Sequence, residues 1–156
     1  MTDKKSEPKK NQTGAESWDL THFKGESQEG KTRFHDFSLP KELMQGIQDA
    51  GFEYCTPIQA ASLPHTLNGH DIVGKAQTGT GKTAAFVLPI LDKLSKDISQ
   101  YRGPRILIIS PTRELASQIT ESIKKYSLYL KINSITITGG ISYSCLLYTS
   151  ELPTKA

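Results

Sequence analysis

The sequence predicts an α/β fold in which a parallel sheet flanked by helices stops after about three strands. Three observations carry that expectation. Residues 105–110, Arg-Ile-Leu-Ile-Ile-Ser, form a continuous apolar run, as a strand buried on both faces requires. Segments of strand character alternate with segments of helical period, the pattern of right-handed βαβ crossovers. A glycine-rich loop at residues 76–83 joins the first strand candidate to the helix after it.

Taken in order, residues 1–33 hold Lys4, Lys5, Lys9, Lys10, Glu7, Glu16, Asp19 and Glu26 among Ser, Gly, Gln and Thr. That composition offers little apolar area to offset chain entropy, so a disordered polar tail is expected there. The folded part is expected over residues 34–144. Leu43, Ile47 and Ala50 recur at helical spacing after Ser38, a candidate N-cap, and Gly51 stands where a C-terminal cap belongs. Thr56, Pro57 and Gln59 then read as N-cap, N1 and N3 of a second helix ending near Asn68 and Gly69.

Residues 71–74 are a short strand candidate, and the helix after the loop carries Ala85, Leu88, Leu91 and Leu94 as a stripe despite Pro89. A further helix, from about Thr112 to Leu130, places Leu115, Ile119, Ile123, Tyr126 and Leu130 on one face. Residues 134–138 alternate as a third strand leading into Gly139 and Gly140.

Length and composition narrow the class. With 156 residues there is room for one domain and its core, not for two nucleotide-binding domains of ordinary size. A formal charge of +3 with mixed signs sets up no global basic field, so any nucleic-acid partner must be argued from motifs. The two cysteines, Cys55 and Cys145, have neither metal-site spacing nor a framework pattern. No stretch of about 18 apolar residues occurs and the Lys-rich start lacks the apolar core of a signal peptide, which points to a cytoplasmic protein without a membrane segment.

Residues 76–83 read Ala-Gln-Thr-Gly-Thr-Gly-Lys-Thr, the phosphate-loop pattern with Ala in place of its first Gly. Glycines let backbone amides turn inward around phosphates, and a helix N-terminus adds partial positive charge. Lys82 supplies a point charge for the terminal phosphates, while the Thr83 hydroxyl suits Mg²⁺. The plainer alternative is a glycine-rich turn that only caps a helix; the strand-loop-helix setting argues for phosphate.

Upstream, residues 51–59 read Gly-Phe-Glu-Tyr-Cys-Thr-Pro-Ile-Gln, and Phe34 stands 17 positions before Gly51. With the loop, these residues resemble the Q motif and phosphate loop of DEAD-box RNA helicases, bacterial in style. Residues 111–116, Pro-Thr-Arg-Glu-Leu-Ala, are similar to motif Ia of that family and Gly139-Gly140 to its GG motif. The resemblance spans 34–140, with the Q motif over 34–62, and implies the first part of a RecA-like P-loop NTPase domain. It implies that Phe34 packs on adenine, that Gln59 reads adenine's polar edge, and that Thr56, Gln77, Thr78, Gly79, Thr80, Gly81, Lys82 and Thr83 complete a site for ATP and Mg²⁺. It further implies that Pro111, Thr112, Arg113, Gly139 and Gly140 meet single-stranded RNA. An amide both donates and accepts, which suits adenine. Still open at this level are a purely capping Gln59, a core Phe34, a surface Arg113 and an ordinary turn at Gly139-Gly140.

The 156 residues contain no Asp-Glu-Ala-Asp, no Ser-Ala-Thr and no arginine motif of a second domain. In the family the acidic motif holds Mg²⁺ and positions water, so this chain is expected to bind nucleotide without hydrolysing it or unwinding RNA. Lys82 and Thr83 therefore stand as catalytic residues lacking their acidic base. Residues 145–150, Cys-Leu-Leu-Tyr-Thr-Ser, match a translation of TGT CTC TTA TAC ACA TCT, a sequencing-adapter end. Residues 145–156 are thus expected to be a non-native read-through, with a short strand over 146–149 as the alternative. Two other functional classes stay open: a non-catalytic nucleotide- or RNA-binding module, and a P-loop small-molecule kinase, for which no arginine-rich lid is visible.

Overall fold

A computed structural model describes residues 18–23, 25–97 and 103–139. Four α-helices are formed among them: α1 Lys41–Asp49, α2 Pro57–Leu67, α3 Lys82–Lys96 and α4 Arg113–Tyr126. Two 3₁₀ turns, Leu20–His22 and Phe34–Asp36, precede α1. Helix α2 packs on α3, α3 also meets α4 and α1, and α1 meets α4.

Each helix has a local cause. Helix α1 begins at Lys41 rather than after Ser38: Pro40, with φ −58° and ψ 146°, takes the N-cap position, and a residue before proline is steered away from helical backbone. Its Leu43, Met44 and Ile47 are buried, and each contributes about 1.5–3 kcal/mol by leaving water. Helix α2 starts as its capping signal predicts, with Pro57 at N1 and Asn68 at its C-cap. In α3, Ala84, Ala85, Val87, Leu88 and Leu91 form the buried stripe, and Pro89 is tolerated inside the helix.

Helix α4 is capped by Thr112, whose Oγ1 accepts from the Leu115 amide at 3.2 Å, a bond worth about 1 kcal/mol. It stops at Tyr126, one turn short of the expected Leu130, with Ser127 as its C-cap. Close packing of α1 on α4 depends on Gly46: a Cβ there would lie 2.3 Å from the Tyr126 carbonyl oxygen.

The sheet is where the structure departs most from expectation. Among the described residues no strand forms, and residues 71–74, 105–110 and 134–138 make no ladder. Val73, Leu107, Ile109, Ile135 and Ile137 are exposed. A helix satisfies its own backbone, whereas a strand exists only with a partner, and none of these segments finds one.

The expected polar tail also needs correction in its second half. Trp18 Nε1 donates to Gln48 Oε1 at 3.0 Å, Tyr54 Oη donates to the Glu26 carbonyl at 3.0 Å, and Arg33 bridges to Tyr54. Phe23 is buried in the core. Mean composition concealed two aromatic side chains, Trp18 and Phe23, large enough to anchor this segment. Residues 1–17 and the suspected read-through at 145–156 lie outside the described residues. No described helix is long and apolar enough to cross a membrane.

Candidate functional site

The glycine-rich loop and the start of α2 are built against each other. Gly81, the N-cap of α3, has φ +88°, a left-handed conformation that glycine adopts without strain. A Cβ at Gly81 would lie 2.5 Å from Gln59 Nε2 and 2.9 Å from Thr56 Oγ1. Glycine is therefore required twice over, by conformation and by space.

Gln59 occupies the contact. It is fully buried, its Oε1 accepts from the Thr56 amide at 3.0 Å, and its Nε2 donates to the Gly81 carbonyl at 3.1 Å. Capping and reaching the loop are thus one act: the same amide caps α2 and clasps the loop. Thr56 Oγ1 is buried with no hydrogen-bond partner beside that clasp.

Inside the loop, Lys82 Nζ donates to the Ala76 carbonyl and, at 2.6 Å, to the Gln77 carbonyl. Thr80 Oγ1 donates to the Gln77 carbonyl at 2.8 Å. Gln77, Thr78 and Gly79 face solvent, Thr80 and Thr83 are half-buried, and Gly79 has φ +82° in open space. No side chain caps α3, so its leading amides keep their capacity for an anion. An ammonium resting on carbonyls beside uncapped amides suits phosphate oxygens. Among the described residues no cluster of three His, Cys, Asp or Glu could hold a metal ion.

Phe34 stands differently from its expected role. It is 0 % exposed and belongs to the core cluster, its ring edge-on to Phe23 with centroids 6.4 Å apart. No face is open for adenine in this arrangement, so the structure gives Phe34 the core position.

The second group of expected residues lies around the start of α4. Pro111, Thr112 and Arg113 are exposed. Arg113 Nη2 reaches Gly139, where a Cβ would lie 3.6 Å from it. The segment carrying Gly139 is tied to α4 by Thr120 and Thr136, whose hydroxyls meet at 2.5 Å. Arg113 and Gly139 are therefore neighbours, while Gly140 lies outside the described residues.

Residues 56–147 match the family model described as DEAD/DEAH box helicase. The chain belongs to the DEAD/DEAH box helicase family. It is 53 % identical over 122 residues to the ATP-dependent RNA helicase RhlB of Pseudomonas syringae pv. tomato, covering 76 % of this chain and 31 % of that protein. Identity to the ATP-dependent RNA helicase DeaD of Escherichia coli is 42 % over 120 residues, 76 % of this chain and 19 % of the relative. The chain thus spans less than a third of these helicases.

Among solved structures it is similar to the RNA helicase Prp28 from Chaetomium thermophilum bound to ADP, with a TM-score of 0.68 and 37 % identity, over 74 % of this chain and 29 % of that one. A hypothetical ATP-dependent RNA helicase from Sulfolobus tokodaii gives a TM-score of 0.62 at 31 % identity, over 71 % and 31 %. Gly46 and Phe23 escaped sequence reasoning. Neither sits in a motif, and only the packing of α1 on α4 and of Phe23 on Phe34 singles them out.

Proposed function

We propose that this chain supplies the ATP-binding part of the first RecA-like domain of an ATP-dependent RNA helicase. The observation that carries the proposal is the clasp of Gln59 on the Gly81 carbonyl. It joins the segment that would read the base to the loop that would hold the phosphates.

In this reading the α3 amides and Lys82 bind the phosphates, and Thr83 holds Mg²⁺, which neutralises phosphate charge when bound. Lys82 now rests on Ala76 and Gln77, and a phosphate would draw it inward by offering a full negative charge in place of carbonyl dipoles. Gln59, freed from Gly81, can donate and accept at adenine at once, and Thr56 Oγ1 is the nearby hydroxyl without a partner. Arg113 and Gly139 form a point where an RNA phosphate could meet a guanidinium beside bare backbone, with Pro111 and Thr112 preceding Arg113 and Gly140 following Gly139 in sequence. Segments 71–74, 105–110 and 134–138 would pair as the parallel sheet of the complete domain. Hydrolysis and unwinding would belong to a longer protein that adds an acidic motif, since these 156 residues contain no Asp-Glu-Ala-Asp.

Titration of the chain with fluorescent ATP and GTP analogues tests the reading. ATP should bind about tenfold or more tightly than GTP, the scale set by a site built to hydrogen-bond one base. Gln59→Ala should abolish that preference. Equal affinity for the two nucleotides, or an unchanged preference in Gln59→Ala, would refute it.

A further inference from the structure

Stacking needs an open aromatic face, and Phe34 has none. One residue against it, Phe23, comes from a short segment outside the Q motif. Phe23 is wedged between two rings, edge-on to Phe34 at 6.4 Å and to His35 at 4.7 Å. The segment is tethered to α1 through a single side chain: Gln48 Oε1 accepts from Trp18 Nε1 at 3.0 Å, and Gln48 Nε2 donates to the His22 carbonyl at 2.8 Å. Asp19 closes the 3₁₀ turn by accepting from the Thr21 amide at 2.8 Å. These polar tethers lie at or near the surface, where water can replace them, whereas α1 beneath is fixed by buried Leu43, Met44 and Ile47.

We propose that residues 18–23 form a strap that holds Phe34 covered and must lift before adenine can stack, making Phe23 a positioning residue that lowers the affinity for ATP. The proposal rests on the ATP-binding reading above and on the adenine role that the Q-motif resemblance implies for Phe34, a role this closed arrangement does not allow. If only the lifted form accepts adenine, the apparent affinity falls by the fraction of time the strap is open.

Trp18 is the one tryptophan in the chain and sits on the strap, so its fluorescence reports the movement. Saturating ATP should shift its emission to the red, and sodium tripolyphosphate, which offers phosphates without a base, should leave it unchanged. Phe23→Ala should tighten ATP binding about fivefold, as expected for a strap closed most of the time, with tripolyphosphate affinity unaltered. Gln48→Leu removes both tethers without touching the aromatic cluster and should act in the same direction, which keeps the test intact if Phe23→Ala fails to fold. No red shift with ATP, or unchanged or weaker ATP binding in folded Phe23→Ala and Gln48→Leu, would overturn the strap. Phe34→Leu separates the two claims. If it weakens ATP alone while the strap variants are neutral, the strap fails and the adenine role stands; if ATP binding ignores Phe34→Leu yet depends on Gln59, the role of Phe34 fails.

Discussion

The helical core and the three segments of strand character contain the same kinds of side chain and meet opposite fates. Leu43, Ile47, Leu63, Val87 and Leu88 are essentially inaccessible, while Leu107 and Ile109 are each 84 % exposed and Ile137 is 67 % exposed. Hydrophobicity does not separate them. Residues 105–110 are more continuously apolar than any part of α1. What differs is who supplies the backbone partners. Each helix closes its own hydrogen bonds and then needs only one face covered, whereas a central strand needs neighbours on both edges and layers on both faces. Local sequence is enough for the first requirement and not for the second.

Paired substitutions in the two regions give the largest expected contrast. Leu88→Ala should lower unfolding free energy by about 2–5 kcal/mol, because it leaves a cavity in the buried core cluster to which Leu88 belongs. Leu107→Ser should change it by less than about 0.5 kcal/mol, as for surface positions generally, and should reduce aggregation by interrupting an exposed apolar segment. Urea unfolding read by circular dichroism, with light scattering for association, checks both. A loss above about 2 kcal/mol in Leu107→Ser would mean that residues 105–110 are packed in solution, and the contrast drawn here would collapse.

Gly46 offers a sharper test of how the helical region is fitted together. Judged by propensity alone, Gly46→Ala in the middle of α1 should stabilise by roughly 1 kcal/mol. The 2.3 Å approach to the Tyr126 carbonyl oxygen reverses the sign, since a backbone atom cannot turn aside as a side-chain tip can. A net loss of about 1–3 kcal/mol is expected, as for overpacked cores. A thermal midpoint equal to or above that of the parent would show that α1 and α4 do not meet this closely.

Helix positions and the turn of the glycine-rich loop were legible because their signals are local. Thr56, Pro57 and Gln59 fix the start of α2 within one turn of chain, and Thr112 does the same for α4. Gly79 and Gly81 announce positive φ through residue type alone. Ser38 misled because Pro40 takes the N-cap position instead and disfavours helical backbone in the residue before it. The expected sheet rested on apolar pattern only, since pairing is a property of two segments and neither carries the other's address. Phe34 shows the same limit at the candidate site. Its spacing from Gly51 singled it out, but its burial against Phe23, on a segment tethered to Gln48, is encoded in no local pattern.

Cys55 gives the smallest effect and the most local one. It immediately precedes Thr56, its amide donating to the Thr32 carbonyl at 2.9 Å. Burial, with a lesser push from the Asp36 carboxylate, raises its thiol from 9.0 to about 12. Because the folded value exceeds the unfolded one, this thiol contributes stability that is whole below pH 9 and declines as pH rises toward 12. Cys55→Ser, lacking that ionisation, should therefore narrow its stability gap to the parent between pH 8 and pH 10, a small change visible in paired denaturant curves. At neutral pH the half-buried thiol should also be alkylated more slowly in the folded chain than on unfolding, as mass mapping of the modified cysteine would reveal. Rapid labelling of folded Cys55 would mean that the segment between Arg33 and Thr56 opens readily, and that the clasp of Gln59 on Gly81 is anchored to moving ground.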